Sequence, residues 1–383
     1  ARCDPDRSKV DMFLAAPHVA RLSISTATIA DASPRSTARG HSHGRAFPAS
    51  VGSLGVAALG SWRRKRCVFR KNMASRPSAM EATGTDSALL LIEHLNLNVL
   101  STQVALEFYE ALGCCRDARR PLTKTLHSNC GSLTQFHTPS PDNEAYIAGA
   151  GAQIWRGRVE LLYDSRASLD AAVARVAQLH EKEHFRGTAL DVGGWNEELQ
   201  ELSVSDAYGN VFSLRVADEA AANSLRTGAR PGVEGCQVLG IGSVTLQVPP
   251  GTAERGARFY AELLGFTAAA EGPGVWVLLG GPQSVQRLRL EETTGSSGQE
   301  LGEHLAIYIR SFDESFERLR QRGLIWVNPR FVHLDKSTNL DEALHYSCFR
   351  FKDIIDLETG DKLFELEHEV RSTSHKSCPL KCE

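Results

Sequence analysis

The sequence predicts an α+β protein in which four strand–helix–strand–strand–strand modules pair into two domains after an unstructured leader. Two repeated patterns predict this fold. An alternating strand leads into a helix that contains Phe-Tyr and ends in Leu-Gly, at residues 108–113 and again at 259–265. A second unit, also present twice, ends in a polar turn and a last strand, with turns at 206–210 and 356–360. Internal repeats constrain a fold strongly, so four modules with one helix each on a curved sheet are expected.

The first module shows the two periodicities most clearly. Residues 91–99 alternate strictly, with Glu93 and Leu95 on one face and His94 and Asn96 on the other. This is the period of a strand. Residues 103–112 then place apolar side chains at helical spacing, and Gly113 stands where a helix is expected to end.

Changes in composition predict the domain boundaries. Residues 1–86 are predicted to be a disordered basic leader, and residues 87–218 a first domain of two modules. A linker rich in Ala, Gly and Arg follows at 219–236, then a second two-module domain at 237–371 and a polar tail at 372–383.

The leader has the composition of a targeting presequence. It is rich in Arg and Ser, and Asp31 is its only acidic residue between Asp11 and Glu81. Such a segment buries too little apolar surface to offset its ordering entropy. Organelle transit peptides share this composition, so we expect import into an organelle, a plastid rather than a mitochondrion. A plain disordered tail on a cytoplasmic protein is the alternative.

The overall composition argues against several classes of partner. A net charge of -3 over 383 residues gives no reason to expect nucleic-acid binding. No apolar run approaches the roughly 20 residues that a membrane-spanning helix needs. The nine cysteines are scattered, without paired C-x-x-C motifs, which argues against a disulfide framework or structural zinc and favours a reducing compartment. A small-molecule substrate or ligand is the expected partner.

The Phe-Tyr helix after an alternating strand, and the Asp-x-x-Gly-Asn turn before the strand at 211–216, resemble the vicinal oxygen chelate superfamily. That superfamily includes glyoxalase I, extradiol dioxygenases, fosfomycin-resistance proteins and bleomycin-binding proteins. The resemblance covers about residues 88–371. It implies that paired modules form an open barrel and that the first and last strands of each module hold a metal. One fold hosts many chemistries, so the resemblance indicates the fold more specifically than the reaction.

The first pair of modules departs from this metal pattern. It offers His94 on its first strand and Gln135 and His137 on one face of a later strand, but Arg158 and Ser213 at the partner positions. Arginine suits a carboxylate or phosphate instead of a cation. We therefore predict that His94, Gln135, His137 and Arg158 bind substrate. The alternative to substrate binding is that these residues lie on a solvent-exposed strand face, with Arg158 in a surface ion pair.

The second pair matches the metal pattern better. Ser243 again lacks a ligand atom of the expected kind, but His304 takes the histidine position of a first strand. With Glu291 and Glu367 it is predicted to bind a divalent cation (Mn²⁺, Fe²⁺, Zn²⁺ or Mg²⁺), and Glu365 is predicted to be the catalytic carboxylate that moves a proton. The alternative is that alternating glutamates form a solvated face or pair with arginines of the neighbouring strand, namely Arg287 and Arg289.

Three functional hypotheses follow from these residues. The first is a metal-dependent lyase or dioxygenase that acts on a small substrate with adjacent oxygens, with its site in the second domain. The second is a metal-free small-molecule-binding protein of the bleomycin-resistance type, and a scaffold for partner proteins is a third. The four-ligand set of glyoxalase I is not reproduced in either pair, and the second histidine of an extradiol dioxygenase is missing from the second pair.

Overall fold

Two sheets, one of seven strands and one of eight, carry the modules in a computed structural model that describes residues 87–143, 151–296, 298 and 302–381. This part of the chain contains fifteen strands and six α-helices. None of its helices has the length and apolar character needed to cross a membrane. The α+β fold of four modules is confirmed. The leader predicted for residues 1–86 lies outside the described residues.

Modules one and two occupy residues 89–139 and 157–216. Each has a strand, a helix and three further strands, and module two inserts two short 3-10 turns after its helix. Module one consists of β1 Leu89–Asn96, α1 Thr102–Ala111, β2 Cys115–Arg116, β3 Thr125–Cys130 and β4 Thr134–Pro139. Module two consists of β5 Gly157–Tyr163, α2 Arg166–Gln178, β6 Asp191–Asn196, β7 Glu201–Ser205 and β8 Val211–Val216.

Modules three and four occupy residues 238–292 and 304–371. Helix α3, Glu219–Leu225, precedes them inside the segment predicted to be a linker. Module three consists of β9 Val238–Val248, α4 Ala253–Leu264, β10 Thr267–Gly272, β11 Val275–Leu279 and β12 Arg287–Glu292. Module four has a second helix where the other modules have a second strand, and consists of β13 His304–Ile309, α5 Phe312–Gln321, α6 Leu340–Tyr346, β14 Cys348–Ile355 and β15 Lys362–Arg371.

The sheets join modules in a different order from the one expected. The first sheet runs β14-β15-β13-β1-β4-β3-β2, so module one pairs with module four through antiparallel β1 and β13. The second sheet runs β10-β11-β12-β9-β5-β8-β7-β6 and joins modules two and three through antiparallel β5 and β9. Pairing of consecutive modules into domains 87–218 and 237–371 is therefore corrected. Alternation specifies the buried face of a strand but not its neighbour.

The helices begin and end where local chemistry requires. The Ser101 side chain accepts a hydrogen bond from the amide of Val104 and so caps the N-terminus of α1. Gly113 and Gly265 follow α1 and α4 with positive φ angles of 90° and 72°, a conformation that glycine adopts without a Cβ clash. Helix α4 turns Phe259 and Tyr260 into the core, so the repeated Phe-Tyr pair is a packing motif.

One ion cluster ties helix α1 to the 3-10 turns of module two and predicts a pH-dependent contribution to stability. Glu107 accepts hydrogen bonds from Lys182 Nζ at 2.7 Å, His184 Nε2 at 3.0 Å and Gln103 Nε2 at 3.0 Å. Burial opposes the shift, but these hydrogen bonds lower the pKa of Glu107 to about 2. The contribution is therefore full above the unfolded pKa of about 4.5 and is lost as the pH falls toward 2.

We expect Glu107→Gln to lower the melting temperature at pH 7 and to leave it unchanged near pH 2. The loss at pH 7 is about 1 kcal/mol or less, because Lys182 and His184 are exposed and water screens the pair. Thermal unfolding of both proteins from pH 7 to pH 2 measures the difference. A difference that does not shrink with falling pH would contradict the assignment.

Candidate metal centre

A polar cavity of about 780 Å³ opens on the first sheet, between modules one and four. Strands β1, β4, β14 and β15 line it, together with the α3–β9 connection and the tail after Arg371. Its wall carries a concentration of imidazole, carboxylate and guanidinium groups, among them His94, His137, His304, Glu369, Arg350 and Arg371.

The register of four neighbouring strands explains why these groups meet. One row across β4, β1, β13 and β15 places Gln135, His94, Ala306 and Glu369 side by side. Register partners share a face, so the small side chain of Ala306 is all that separates His94 from Glu369 along this row. The adjacent row contains His137, Asn96, His304 and Glu367.

Glu93 orients the imidazole of His94. Its Oε2 atom lies 2.5 Å from His94 Nδ1, and Arg371 Nη1 and Arg230 Nη2 also donate to this carboxylate. Although burial raises the pKa of Glu93, His94 and the two arginines hold it well below its usual range. An ionised carboxylate only accepts, so His94 Nδ1 carries the proton and His94 Nε2 keeps a free lone pair. A carboxylate on the far nitrogen is the usual companion of a metal-binding histidine.

His94, His304 and Glu369 converge on one point in the cavity. Glu369 Oε2 lies 3.8 Å from His94 Nε2 and 3.5 Å from His304 Nε2. One ligand atom from each residue falls within 4.8 Å of the others. His94 Nε2 is buried and, among the described residues, has no hydrogen-bond partner. Buried polar atoms without a partner are rare and call for an explanation.

Two arginines hold Glu369 in place. Arg371 Nε lies 2.6 Å from Glu369 Oε1, and Arg350 Nη2 lies 3.0 Å from Glu369 Oε2. Burial acts in the opposite direction, but these guanidinium groups keep the pKa of Glu369 well below its usual range. The carboxylate is therefore ionised at neutral pH, and the oxygen not held by Arg371 points to the two imidazoles.

Burial keeps the cavity histidines of module one neutral. Desolvation lowers the pKa of His94 despite the opposing effect of Glu93, and it lowers the pKa of His137 further. Burial also lowers the pKa of His127 to about 4. Neutral imidazole is the form that binds metals, because the lone pair on nitrogen is available.

Ring stacking and two hydrogen bonds within module one also support the imidazole of His94. The His137 ring stacks on it with centroids 3.8 Å apart. His137 Nε2 lies 2.9 Å from Gln135 Oε1, and Gln135 Nε2 donates to Asn129 Oδ1 at 2.5 Å. The structure thus brings together three of the four residues predicted to bind substrate.

The fourth of these residues, Arg158, and the predicted ligand Glu291 lie in the second sheet. Arg158 Nη1 is 3.6 Å from Glu291 Oε2, and about a third of each side chain is exposed. The expectation that Arg158 joins His94, and that Glu291 joins His304, is corrected. Both errors have the same cause, which is the order in which the modules join. Strands β5 and β12, which carry Arg158 and Glu291, belong to the second sheet, whereas His94 and His304 belong to the first.

Glu367 and Glu365 lie on the same strand as Glu369 but have other partners. Glu367 is fully buried and is held by Asn328 Nδ2 at 2.8 Å and Arg350 Nη1 at 2.8 Å. Glu365 is paired with Lys362 Nζ at 2.6 Å and is absent from the described residues that line the cavity. The predicted ligand on β15 is therefore replaced by Glu369, and the predicted catalytic position of Glu365 is corrected.

Two residues of the site were missed for different reasons. Glu369 was missed because alternation puts Glu367 and Glu369 on the same face of β15 and does not say which of the two lies nearer to the histidines. The register of the sheet places Glu369 in the same row as His94. Glu93 was placed on the opposite face from His94, but a register shift between Ile92 and His94 turns both into the cavity. Such an irregularity breaks the period of two and leaves no mark in the alternation.

The three converging residues fit a divalent cation. Two imidazoles and one carboxylate are a donor set that Fe²⁺, Mn²⁺ and Zn²⁺ accept. The partnerless Nε2 of His94, aimed at Glu369 and His304, is the observation that supports this fit. The pairing of modules one and four supplies the second histidine that was missing from the second consecutive pair.

Solved structures of similar fold include a Bacillus subtilis protein provisionally named a dioxygenase, with 14% identity over 76% of this chain and 86% of its own, at a TM-score of 0.45. A variant of glyoxalase I from Zea mays is 14% identical over 74% of this chain and 92% of its own, at a TM-score of 0.40. A fosfomycin resistance protein from Mesorhizobium loti is 12% identical over 34% of this chain and 93% of its own, at a TM-score of 0.24.

No protein-family model matches the sequence, and no curated protein matches it significantly. The dioxygenase-named protein, glyoxalase I and the fosfomycin resistance protein belong to the vicinal oxygen chelate superfamily, the one that the sequence motifs resemble. The structure itself shows four modules that pair through antiparallel first strands.

Proposed function

We propose that this protein is a metal-dependent enzyme of the glyoxalase and dioxygenase type, which acts on a small molecule with adjacent oxygens. The convergence of His94, His304 and Glu369 in a cavity of about 780 Å³ carries this proposal. Such a cavity has the size of a small-molecule site. The three residues would hold the cation. Glu93 would orient His94, and Arg371 would orient Glu369.

A bound divalent cation supplies Lewis acidity to the oxygens of a substrate. The protein's own residues prepare the place for that chemistry. Glu93 fixes the tautomer of His94, and Arg371 fixes one oxygen of Glu369. Three protein ligands would leave at least one position for a substrate oxygen, because these metals take four or more ligands.

Metal content is the direct test of this proposal. The purified full chain is stripped with a chelator, incubated with Fe²⁺, Mn²⁺, Zn²⁺ or Mg²⁺ in turn, dialysed and analysed for metal by mass spectrometry. We expect one equivalent of a preferred metal in the wild type. His94→Ala, His304→Ala and Glu369→Gln should each weaken binding by at least about 100-fold, since each removes a ligand.

Two control variants remove the same chemical groups elsewhere. Glu291→Gln changes a carboxylate of the second sheet, and His180→Ala removes an exposed imidazole of module two. Both should retain the wild-type metal content. Glu93→Gln should weaken binding by about 10- to 100-fold, the usual effect of losing the partner of a histidine ligand. A wild-type protein without stoichiometric metal would refute the proposal.

A metal-free small-molecule-binding protein is the second candidate, and the arginines of the cavity favour it. Arg350 already lies 3.0 Å from Glu369 Oε2, so a guanidinium neutralises the carboxylate that a cation would share. On this reading the cavity binds its ligand through hydrogen bonds to its histidines and arginines. A ligand that binds the native state raises the melting temperature, so small acids and diketones screened with chelator present measure this activity.

A further inference from the structure

Four of the six described cysteines surround one edge of the first sheet, outside the cavity. They are Cys114, Cys115, Cys130 and Cys236. Cys114 and Cys130 are almost fully buried, whereas Cys115 and Cys236 are partly exposed. None of the four belongs to the described residues that line the cavity.

Cys114 and Cys130 are cross-strand neighbours. The antiparallel register of β2 and β3 pairs Cys115 with Asn129, which places the preceding Cys114 opposite Cys130. The two Sγ atoms lie 3.3 Å apart. Opposed residues of antiparallel strands have Cα separations of about 4.5–5.5 Å, inside the range of about 4.4–6.8 Å that disulfides tolerate. Bond formation therefore needs the sulfurs to approach by little more than 1 Å.

The pair differs from the other buried thiol of the described chain. Cys348 lies on β14, and its Sγ donates to the carbonyl oxygen of Phe349 at 3.9 Å. Cys114 and Cys130, in contrast, each have the other's sulfur as a partner. Cys348 is therefore an internal control of equal burial without a thiol neighbour at this distance.

We propose that Cys114 and Cys130 are a site of reversible disulfide formation, with a low-molecular-weight disulfide such as glutathione disulfide as the oxidant. The two Sγ–H bonds break and one Sγ–Sγ bond forms. The two electrons reduce the sulfur–sulfur bond of the oxidant, and the two protons leave with the resulting pair of small thiols. The exchange passes through a mixed disulfide between one cysteine and half of the oxidant.

The surroundings of the pair determine its rate and its stability. Burial raises the pKa of the Cys130 thiol, so little thiolate is present and the native protein reacts slowly. The same burial slows access of small reductants to the product, so the disulfide is reduced slowly as well.

The cross-link would join the end of helix α1 to strand β3. The residue after α1 is Leu112, two positions before Cys114, and the residue before Cys130 is Asn129, which supports Gln135 in the cavity. Oxidation therefore constrains a strand that reaches the site. The modification itself requires neither the metal nor the proposed enzymatic activity.

Thiol mapping of the wild-type full chain tests the proposal. The protein is equilibrated in buffers of graded oxidised-to-reduced glutathione ratio and quenched with acid. Free thiols are then alkylated in denaturant, and the peptides are analysed by mass spectrometry without reduction. We expect Cys114 and Cys130 to lose their free thiols together and to appear in one cross-linked peptide pair, lighter by about 2 Da than the two thiol peptides. Cys348 should stay alkylated throughout.

Three outcomes would overturn the proposal. They are full alkylation of Cys114 and Cys130 at the most oxidising ratio, a stable glutathione adduct on either, or pairing of either with Cys115 or Cys236. A thermal measurement adds a readout of the fold. Oxidation should raise the melting temperature by roughly 5–10 °C, because the cross-link closes a loop of intermediate length. Cys130→Ala should abolish this shift and Cys348→Ala should keep it.

Discussion

Replacing Arg350 with alanine is expected to lower the free energy of unfolding by about 3–5 kcal/mol, the usual cost of breaking a buried ion pair from one side. Its side chain is 2% exposed and contacts three carboxylates. Asp335 and Glu369 lie 3.0 Å from Nη2, and Glu367 lies 2.8 Å from Nη1. The variant leaves these carboxylates close together in the interior with one less cation, and repulsion adds to the cost of desolvation.

Urea denaturation of the full chain, followed by tryptophan fluorescence, measures this loss. Arg258→Ala is the matched control, because Arg258 also pairs with two carboxylates, Glu262 and Glu358, but is half exposed. That variant should lose far less stability than Arg350→Ala, because water screens exposed ion pairs. Arg350→Lys should fall between them, since one ammonium cannot replace the planar fork that reaches three partners. Equal stabilities of Arg350→Ala and Arg258→Ala would contradict the role assigned to this cluster.

Gly131→Ala is expected to lower the free energy of unfolding by about 3 kcal/mol or more, in the range of severe backbone clashes. Gly131 lies in the turn between β3 and β4 and has a φ angle of +66°. An alanine Cβ there would lie 1.9 Å from the carbonyl oxygen of Leu239 on β9. Because the contact is with backbone atoms of β9 in the second sheet, relief of this clash requires the turn and β9 to move apart.

Gly187→Ala separates the clash from the cost of the backbone conformation. Gly187 has a similar φ angle of +73°, and a Cβ added there would meet nothing within 4 Å. This control should lose about 1–2 kcal/mol, which is the penalty of left-handed backbone for alanine. The difference between the two variants, measured by urea denaturation, reports the contact with Leu239. Equal losses would mean that the sheets are not packed closely at this turn.

The sequence was sufficient to predict the modules because their information is local. The alternation around His94 and the helix before Gly113 depend on residues close together in the chain, and each was found within a few positions. The order in which modules join is not local. Nothing in the residue pattern of β1 or β13 specifies its partner strand, so either could pair with any other first strand.

The same distinction explains how much of the site could be predicted. His94, Gln135, His137 and His304 were assigned to the correct strands and faces, since alternation decides this. Which residues meet was not predictable, because His94 and Glu369 come together only through the contact of β1 with β13. The buried arginines that hold the carboxylates have no periodic signature, and Arg230 reaches Glu93 from a connection between elements.

The pairing of the first module with the last has a consequence for biosynthesis. The walls of the cavity are translated at opposite ends of the described chain, so a nascent polypeptide has no such cavity until β15 has left the ribosome. Modules two and three, which are contiguous, can associate earlier. Module one must meanwhile wait with one edge of β1 unpaired, the kind of exposed edge that chaperones protect from aggregation during synthesis.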